Sequence, residues 1–236
     1  MRVGIDKTFG QYNAPINPVT NDYLYMPIPE DRHRFKVDMH TSYANIAPHF
    51  KKWAKENKFN DDFPAHLQQR NCHLDPDFSC LTYGDQGTGR GSRVRQLNNG
   101  DFIAFFASFK PISPSPHKLI YALFGIITVD RIVKVENLPH EQCHLNAHSR
   151  ILDVNGDHLV VFGQSNRSGR FDKAIPIGEN RDGAYRVTQE TLDAWGGLGV
   201  KNGFIQRSVC PPWFADPTRF MAWIDSKDYS VIAANW

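Results

Sequence analysis

The sequence predicts an α+β fold: a mixed or antiparallel sheet with helices packed on one side. Three observations predict it. Strand-forming apolar runs dominate from residue 101 onward, with long stretches at 101–107, 119–135 and 158–163. One strong helical region lies earlier, at residues 42–69. Aromatic residues are plentiful, with 16 Phe, 8 Tyr and 5 Trp to fill the space between sheet and helices. The chain has 236 residues, 41% hydrophobic and 22% charged, enough to bury a core without staples. No repeat or low-complexity tract interrupts it, so a single domain over residues 1–236, with a helical insertion at about 42–69, is the simplest organisation.

Residues 1–30 read as a strand, a loop and a second strand, punctuated by Gly4, Gly10, Pro15 and Pro18. Pro27 and Pro29 keep the second strand at an edge, because proline cannot donate to a ladder. Ala44, Ala47, Phe50, Trp53 and Ala54 have helical spacing. Asp61-Asp62-Phe63-Pro64 stops that helix, and Pro64 can open a short second one. Four glycines lie among Arg90, Arg93 and Arg95 in residues 84–95, which predicts a loop. Residues 111–116 form a Pro/Ser turn, and Gly125 is the expected kink or bulge of the strand region 119–135. Thr188 caps a short helix that Gly196, Gly197 and Gly199 end. Trp213, Phe214, Phe220, Trp223 and Tyr229 close the chain as packing aromatics.

Composition excludes several classes. The apolar run at 119–129 is far short of the roughly 20 residues of a membrane span. Residues 1–6 enter a strand-like pattern and lack the apolar core of a secretory signal, so a cytoplasmic protein is expected. A net charge of +2 is not that of a protein that coats DNA. Cys72, Cys80, Cys143 and Cys210 form no close pairs and read as reduced thiols. A zinc site drawn from Cys72-His73 and Cys143-His144 would lack the short ligand pairs such sites use. Walker loop, nucleophile elbow and His-Glu-x-x-His helix are all missing.

The densest chemistry is His73-Leu74-Asp75-Pro76-Asp77. On an extended strand His73, Asp75 and Asp77 would share a face, and two close carboxylates invite a proton or a cation between them. That arrangement serves acid–base catalysis or a divalent metal. The alternative is a turn in which Asp75 or Asp77 caps backbone N–H groups, and the residues alone leave both open. A second constellation, Asn146-Ala147-His148-Ser149-Arg150, would place Asn146, His148 and Arg150 on one face of a strand, suited to a phosphate or a base edge, with a solvated strand face as the alternative. Arg90, Arg93 and Arg95 form a basic loop suited to anions, with plain solvated loop charge as the alternative. Ser165-Asn166-Arg167-Ser168-Gly169-Arg170 could hold a phosphate through backbone N–H groups and arginine; a plain surface turn is the alternative.

These segments, in this order, resemble the third of the nucleotide modification associated domains, found in phage and prokaryotic gene neighbourhoods for DNA base modification. The matching features are Val3-Gly4-Ile5-Asp6, Tyr25-Met26-Pro27-Ile28-Pro29-Glu30 and His73-Leu74-Asp75-Pro76-Asp77. They continue through Gly100-Asp101-Phe102-Ile103-Ala104-Phe105-Phe106, Gly125-Ile126, Asn146-Ala147-His148-Ser149-Arg150, Val160-Val161-Phe162-Gly163 and Ser168-Gly169. A weaker fold-level similarity is to PUA-like domains, the EVE and ASCH groups among them, which bind RNA or modified bases in a cleft; it implies that the sheet is barrel-like. The resemblance implies nucleic acid or a nucleotide as partner, with other DNA-modification proteins, and no membrane. On this reading His73, Asp75, Asp77 and His148 are the catalytic candidates. Arg90, Arg93, Arg95, Asn146, Arg150, Ser168 and Arg170 are the candidates for holding nucleotide or phosphate. A non-catalytic reader that stacks a flipped base on Trp213 or Phe214 is the alternative, and an enzyme of free nucleotides or sugars the third. Whether residues 73–77 and 146–150 face one cleft decides the single-site reading.

Overall fold

The computed structural model describes residues 1–31, 34–152, 157–206 and 211–236, apart from the side chain of Arg90. The elements run β1 Pro15–Ile16, β2 Ile28–Glu30, α1 Ala47–Glu56, β3 Asn71–His73, β4 Thr82–Asp85, β5 Phe102–Pro111 and β6 Ile120–Lys134. They continue with α2 Ala147–Arg150, β7 Leu159–Gly163, β8 Gly169–Pro176, β9 Gly178–Arg181, β10 Ala184–Val187, α3 Gln189–Trp195, α4 Pro217–Asp225 and β11 Val231–Ile232. Short 3-10 turns flank α1 and occupy Gly89–Gln96, where the sequence predicted a loop.

The α+β class holds. The main sheet has seven strands in the order β1-β5-β6-β7-β4, with β8 on β6 and β11 on β8. Only the β1–β5 pair is parallel. The described strands end at β1 and β4 without closing, so the barrel-like sheet expected from the sequence is here an open one.

β6, 15 residues long, organises it. Its first part pairs with β5 and β8 and its last part with β7. Register shifts opposite Phe105/Phe106 and at Val129/Arg131 bend it between these partners. Gly125 sits beside the first shift as predicted, and a Cβ there would lie 2.5 Å from Phe78 Cζ.

Strand alternation sorts β5 onto two cores. Ile103, Phe105, Ala107 and Phe109 face the larger one, with Phe50 and Trp53 of α1 and with Leu74, Phe78 and Tyr83. Ala104 and Phe106 face the other, with Leu192 and Trp195 of α3 and Phe220 and Ile224 of α4. Helices therefore cover both faces rather than the one expected. That is why β5 is a continuous apolar run instead of an alternating one. Full burial of a large apolar side chain stabilises by about 1.5–3 kcal/mol, so Phe105, Phe109 and Phe124, each 0–1% exposed, anchor the sheet.

Two local predictions differ from the outcome. Residues 146–150 form α2, not a strand, because the Asn146 side chain accepts from His148 N and caps a helical turn. Residues 1–6 contribute only isolated bridges, among them Arg2 to Phe106. The Thr188 cap of α3 is present, with Thr191 N donating to Thr188 Oγ1 at 3.2 Å and Gly196 ending the helix at φ 74. No described helix is long and apolar enough to cross a membrane.

Candidate functional site

β3 carries His73 to its end against β2, where Ile28 pairs with His73. Glu30, two residues along on the same face of β2, reaches back diagonally, and its Oε2 lies 2.8 Å from His73 Nδ1. The chain then passes through Asp75, and a turn between Asp77 and Thr82 returns it into β4. Asp75 Oδ1 accepts from the backbone N–H of Gly84 at 2.8 Å and from Asn146 Nδ2 at 2.9 Å. Its Oδ2 lies 3.8 Å from His148 Nε2.

α2 is short and capped at its start by the Asn146 side chain. Asn146 holds the helix start through its oxygen and Asp75 and Thr82 through its amide. His148 is thus set over Asp75, edge-on to His73 with ring centroids 4.9 Å apart. Its Nδ1 is 2.7 Å from Nδ1 of His158, a buried residue just before β7. Gly84 is required beneath this group: a Cβ would lie 2.3 Å from Asn146 Oδ1 and 2.4 Å from His148 Cδ2.

One potential ligand atom from each of His73, Asp75 and His148 falls within 4.8 Å of the others. It is the one group of three or more metal-capable side chains among the described residues. Burial pushes the Asp75 carboxyl up to about 7, against the lowering pull of His73, the Gly84 N–H and Asn146. Asp85, at the end of β4, is also raised by burial, offset by the Gly87 N–H and the Tyr83 hydroxyl.

Residues 73–77 and 146–150 therefore do meet. Asp77, however, is not in the three-residue group. Its Oδ1 accepts from Ser79 N, Cys80 N and Asn235 Nδ2, and its Oδ2 pairs with Arg150 at 2.8 Å. The shared strand face expected for His73, Asp75 and Asp77 is not formed, because β3 ends at His73.

The expected phosphate holders are dispersed. Arg150, besides Asp77, donates to His144 O and Thr41 Oγ1. Ser168 is buried in the sheet and accepts from Thr128 N. Arg170 donates to the carbonyls of Ala234 and Phe171. Arg95 pairs with Asp157 on the surface. Arg93 lies over the Trp213 ring, 3.7 Å from its centroid. The Arg90 side chain lies outside the described residues.

Cys72, Cys80 and Cys143 are free thiols, and burial pushes Cys72 up to about 12. They join no metal-capable group among the described residues, so the Cys-His zinc arrangement is not formed there. Cys210 lies outside the described residues.

Sequence reasoning missed Glu30, His158, Asp85 and Gly84 as parts of this site. Glu30 was inside a quoted motif, yet only the β2–β3 register shows that it reaches His73. His158 opened a predicted strand and gave no signal by itself.

A separate apolar pocket of about 260 Å³ lies on the α3 and α4 side of the sheet. Phe102, Phe106, Trp195, Trp213, Phe214 and Arg93 line it. None of His73, Asp75, His148 or His158 does.

Fold and site together define an α+β protein with a buried histidine–carboxylate centre. No curated protein and no solved structure matches the chain. The family model for nucleotide modification associated domain 3 matches residues 1–218, and the chain belongs to that family.

Proposed function

We propose that this protein is an enzyme of a prokaryotic or phage DNA-modification system, and that His73, Asp75 and His148 are its reaction centre on a nucleobase or nucleotide. Membership of a nucleotide modification associated family supports this substrate class. The observation that carries the centre is convergence: three titratable side chains from β3, the following loop and α2 meet in one group, with Asp75 and His148 buried and His73 half-buried. Each has a partner that fixes its orientation: Glu30 for His73, Gly84 and Asn146 for Asp75, and His158 for His148. Orienting partners of this kind are what a reaction centre needs to hold productive geometry. Asp77 and Arg150 brace the neighbouring turn, and Arg93 and Arg95 are the remaining candidates for a substrate phosphate.

The test is Asp75→Asn in cells that carry the full modification gene set, followed by mass analysis of DNA nucleosides. Loss of the modified nucleoside with normal protein level is expected. An unchanged modified nucleoside overturns the assignment.

One observation favours a second reading, a non-catalytic PUA-like reader of modified or flipped bases. The apolar pocket offers aromatic walls and one guanidinium, a combination that stacks a base. Salt-dependent binding to modified oligonucleotides that is lost in Phe102→Ala and kept in Asp75→Asn would favour it. A thermal shift with mononucleotide and none with oligonucleotide would favour a free-nucleotide enzyme instead.

A further inference from the structure

We propose that His73, Asp75 and His148 form a binding site for one divalent first-row transition ion of the Zn²⁺ or Co²⁺ kind. The inference takes its place in the chemistry from the reading of this group as the reaction centre; its geometry stands by itself.

The donor set selects the metal class. Two imidazoles and one carboxylate suit borderline ions, whereas Mg²⁺ and Ca²⁺ favour oxygen ligands throughout. The spacing is compatible: two ligand atoms on a tetrahedral ion lie roughly 3.4 Å apart at ordinary bond lengths. The three ligand atoms here all lie within 4.8 Å of one another.

The surroundings follow the pattern of a metal centre. Metal-bound histidines are held from behind by a hydrogen bond at the other ring nitrogen, commonly to a carboxylate. Glu30 Oε2 takes that place behind His73, at 2.8 Å from Nδ1. His158 takes it behind His148, at 2.7 Å from Nδ1, which leaves His148 Nε2 toward Asp75. Asp75 is held through Oδ1 by Gly84 and Asn146, while Oδ2 is the oxygen nearer His148. Three ligands from the protein also leave a coordination position for water or substrate, as catalytic rather than structural sites do.

The experiment uses the full chain, stripped with a chelator and then titrated with Zn²⁺ against a competing chromophoric chelator and with Co²⁺ by visible absorption. One tightly bound ion per chain is expected, not displaced by excess Mg²⁺. His73→Ala, at the more accessible rim, should abolish the Co²⁺ bands while circular dichroism stays unchanged. Glu30→Gln, which touches no ion, should weaken binding by about 10- to 100-fold. Failure of the wild-type chain to take up Zn²⁺ or Co²⁺ at millimolar concentration overturns the proposal. So does binding that survives His73→Ala in a folded protein. These outcomes separate from those of the function: no uptake together with loss of modified nucleoside in Asp75→Asn removes the metal and keeps the reaction centre. Uptake together with unchanged nucleosides does the reverse.

Discussion

Asp75 and Asp77 are two residues apart and both buried, yet their surroundings have opposite characters. Asp77 is saturated: two backbone N–H groups, the Asn235 amide and the Arg150 guanidinium all point at it. These contacts hold the turn between Asp77 and Thr82. Asp75 is anchored through one oxygen only, and its other oxygen sits beside an imidazole. The sequence offered catalysis or capping for the pair. The structure distributes the roles: capping by Asp77, and a titratable cluster at Asp75. Residue type and spacing are the same; the partners that arrive from elsewhere in the fold make the difference.

The contrast can be broken by mutation. Asp77→Ala would leave Arg150 without its counter-charge in a site where that side chain is 11% exposed, and should cost about 3–5 kcal/mol in urea unfolding. Asp75→Asn keeps an acceptor for Gly84 N and Asn146, so it should cost far less stability while removing function. If both destabilise equally, the distinction between the two carboxylates fails.

Gly84→Ala sharpens the contrast from the Asp75 side. Its Cβ would strike Asn146 and His148, both pinned, and about 3 kcal/mol of overpacking with a displaced His148 is expected. Thermal unfolding with a Co²⁺ titration reads both effects. Asn235→Ala sharpens it from the Asp77 side. It strips a partner from Asp77 and orphans the buried Phe78 N–H, at about 2 kcal/mol by denaturant titration, with the Asp75 cluster unaltered. The smallest effect belongs to Trp213→Ala, in the apolar pocket that neither carboxylate lines. It forfeits the Arg93 contact on a half-exposed ring, about 0.5–1 kcal/mol by the same titration. A larger loss there would tie the apolar pocket to the stability of the whole sheet.

Legibility in the sequence followed the range of the interactions. β5, β6 and β7 were readable because long apolar runs report burial directly, and α3 because Thr188 and Gly196 are local cap signals. α2 was not, since four residues are too few for a helical period and the decisive cap bond comes from Asn146 itself. His73, Asp75 and His148 were named from the sequence, but their meeting depends on β4 and α2 packing across Gly84. The pairing of Arg150, expected to hold a ligand, with Asp77 was not legible because the two are 73 residues apart in the chain. Helices on both faces were missed because the faces of β5 carry similar apolar residues, with no polar side to mark solvent.

The clasp made by Asn235 has a practical reach. The family match stops at residue 218, inside α4, whereas Asn235 locks the Asp77 turn and Trp236 hydrogen-bonds Tyr25 O and stacks on His49. A fragment trimmed to the family boundary would lose β11 and the latch on the loop beside Asp75. Anyone dissecting this protein should keep Asn235 and Trp236, because their side chains hold the Asp77 turn and the Tyr25 segment in place.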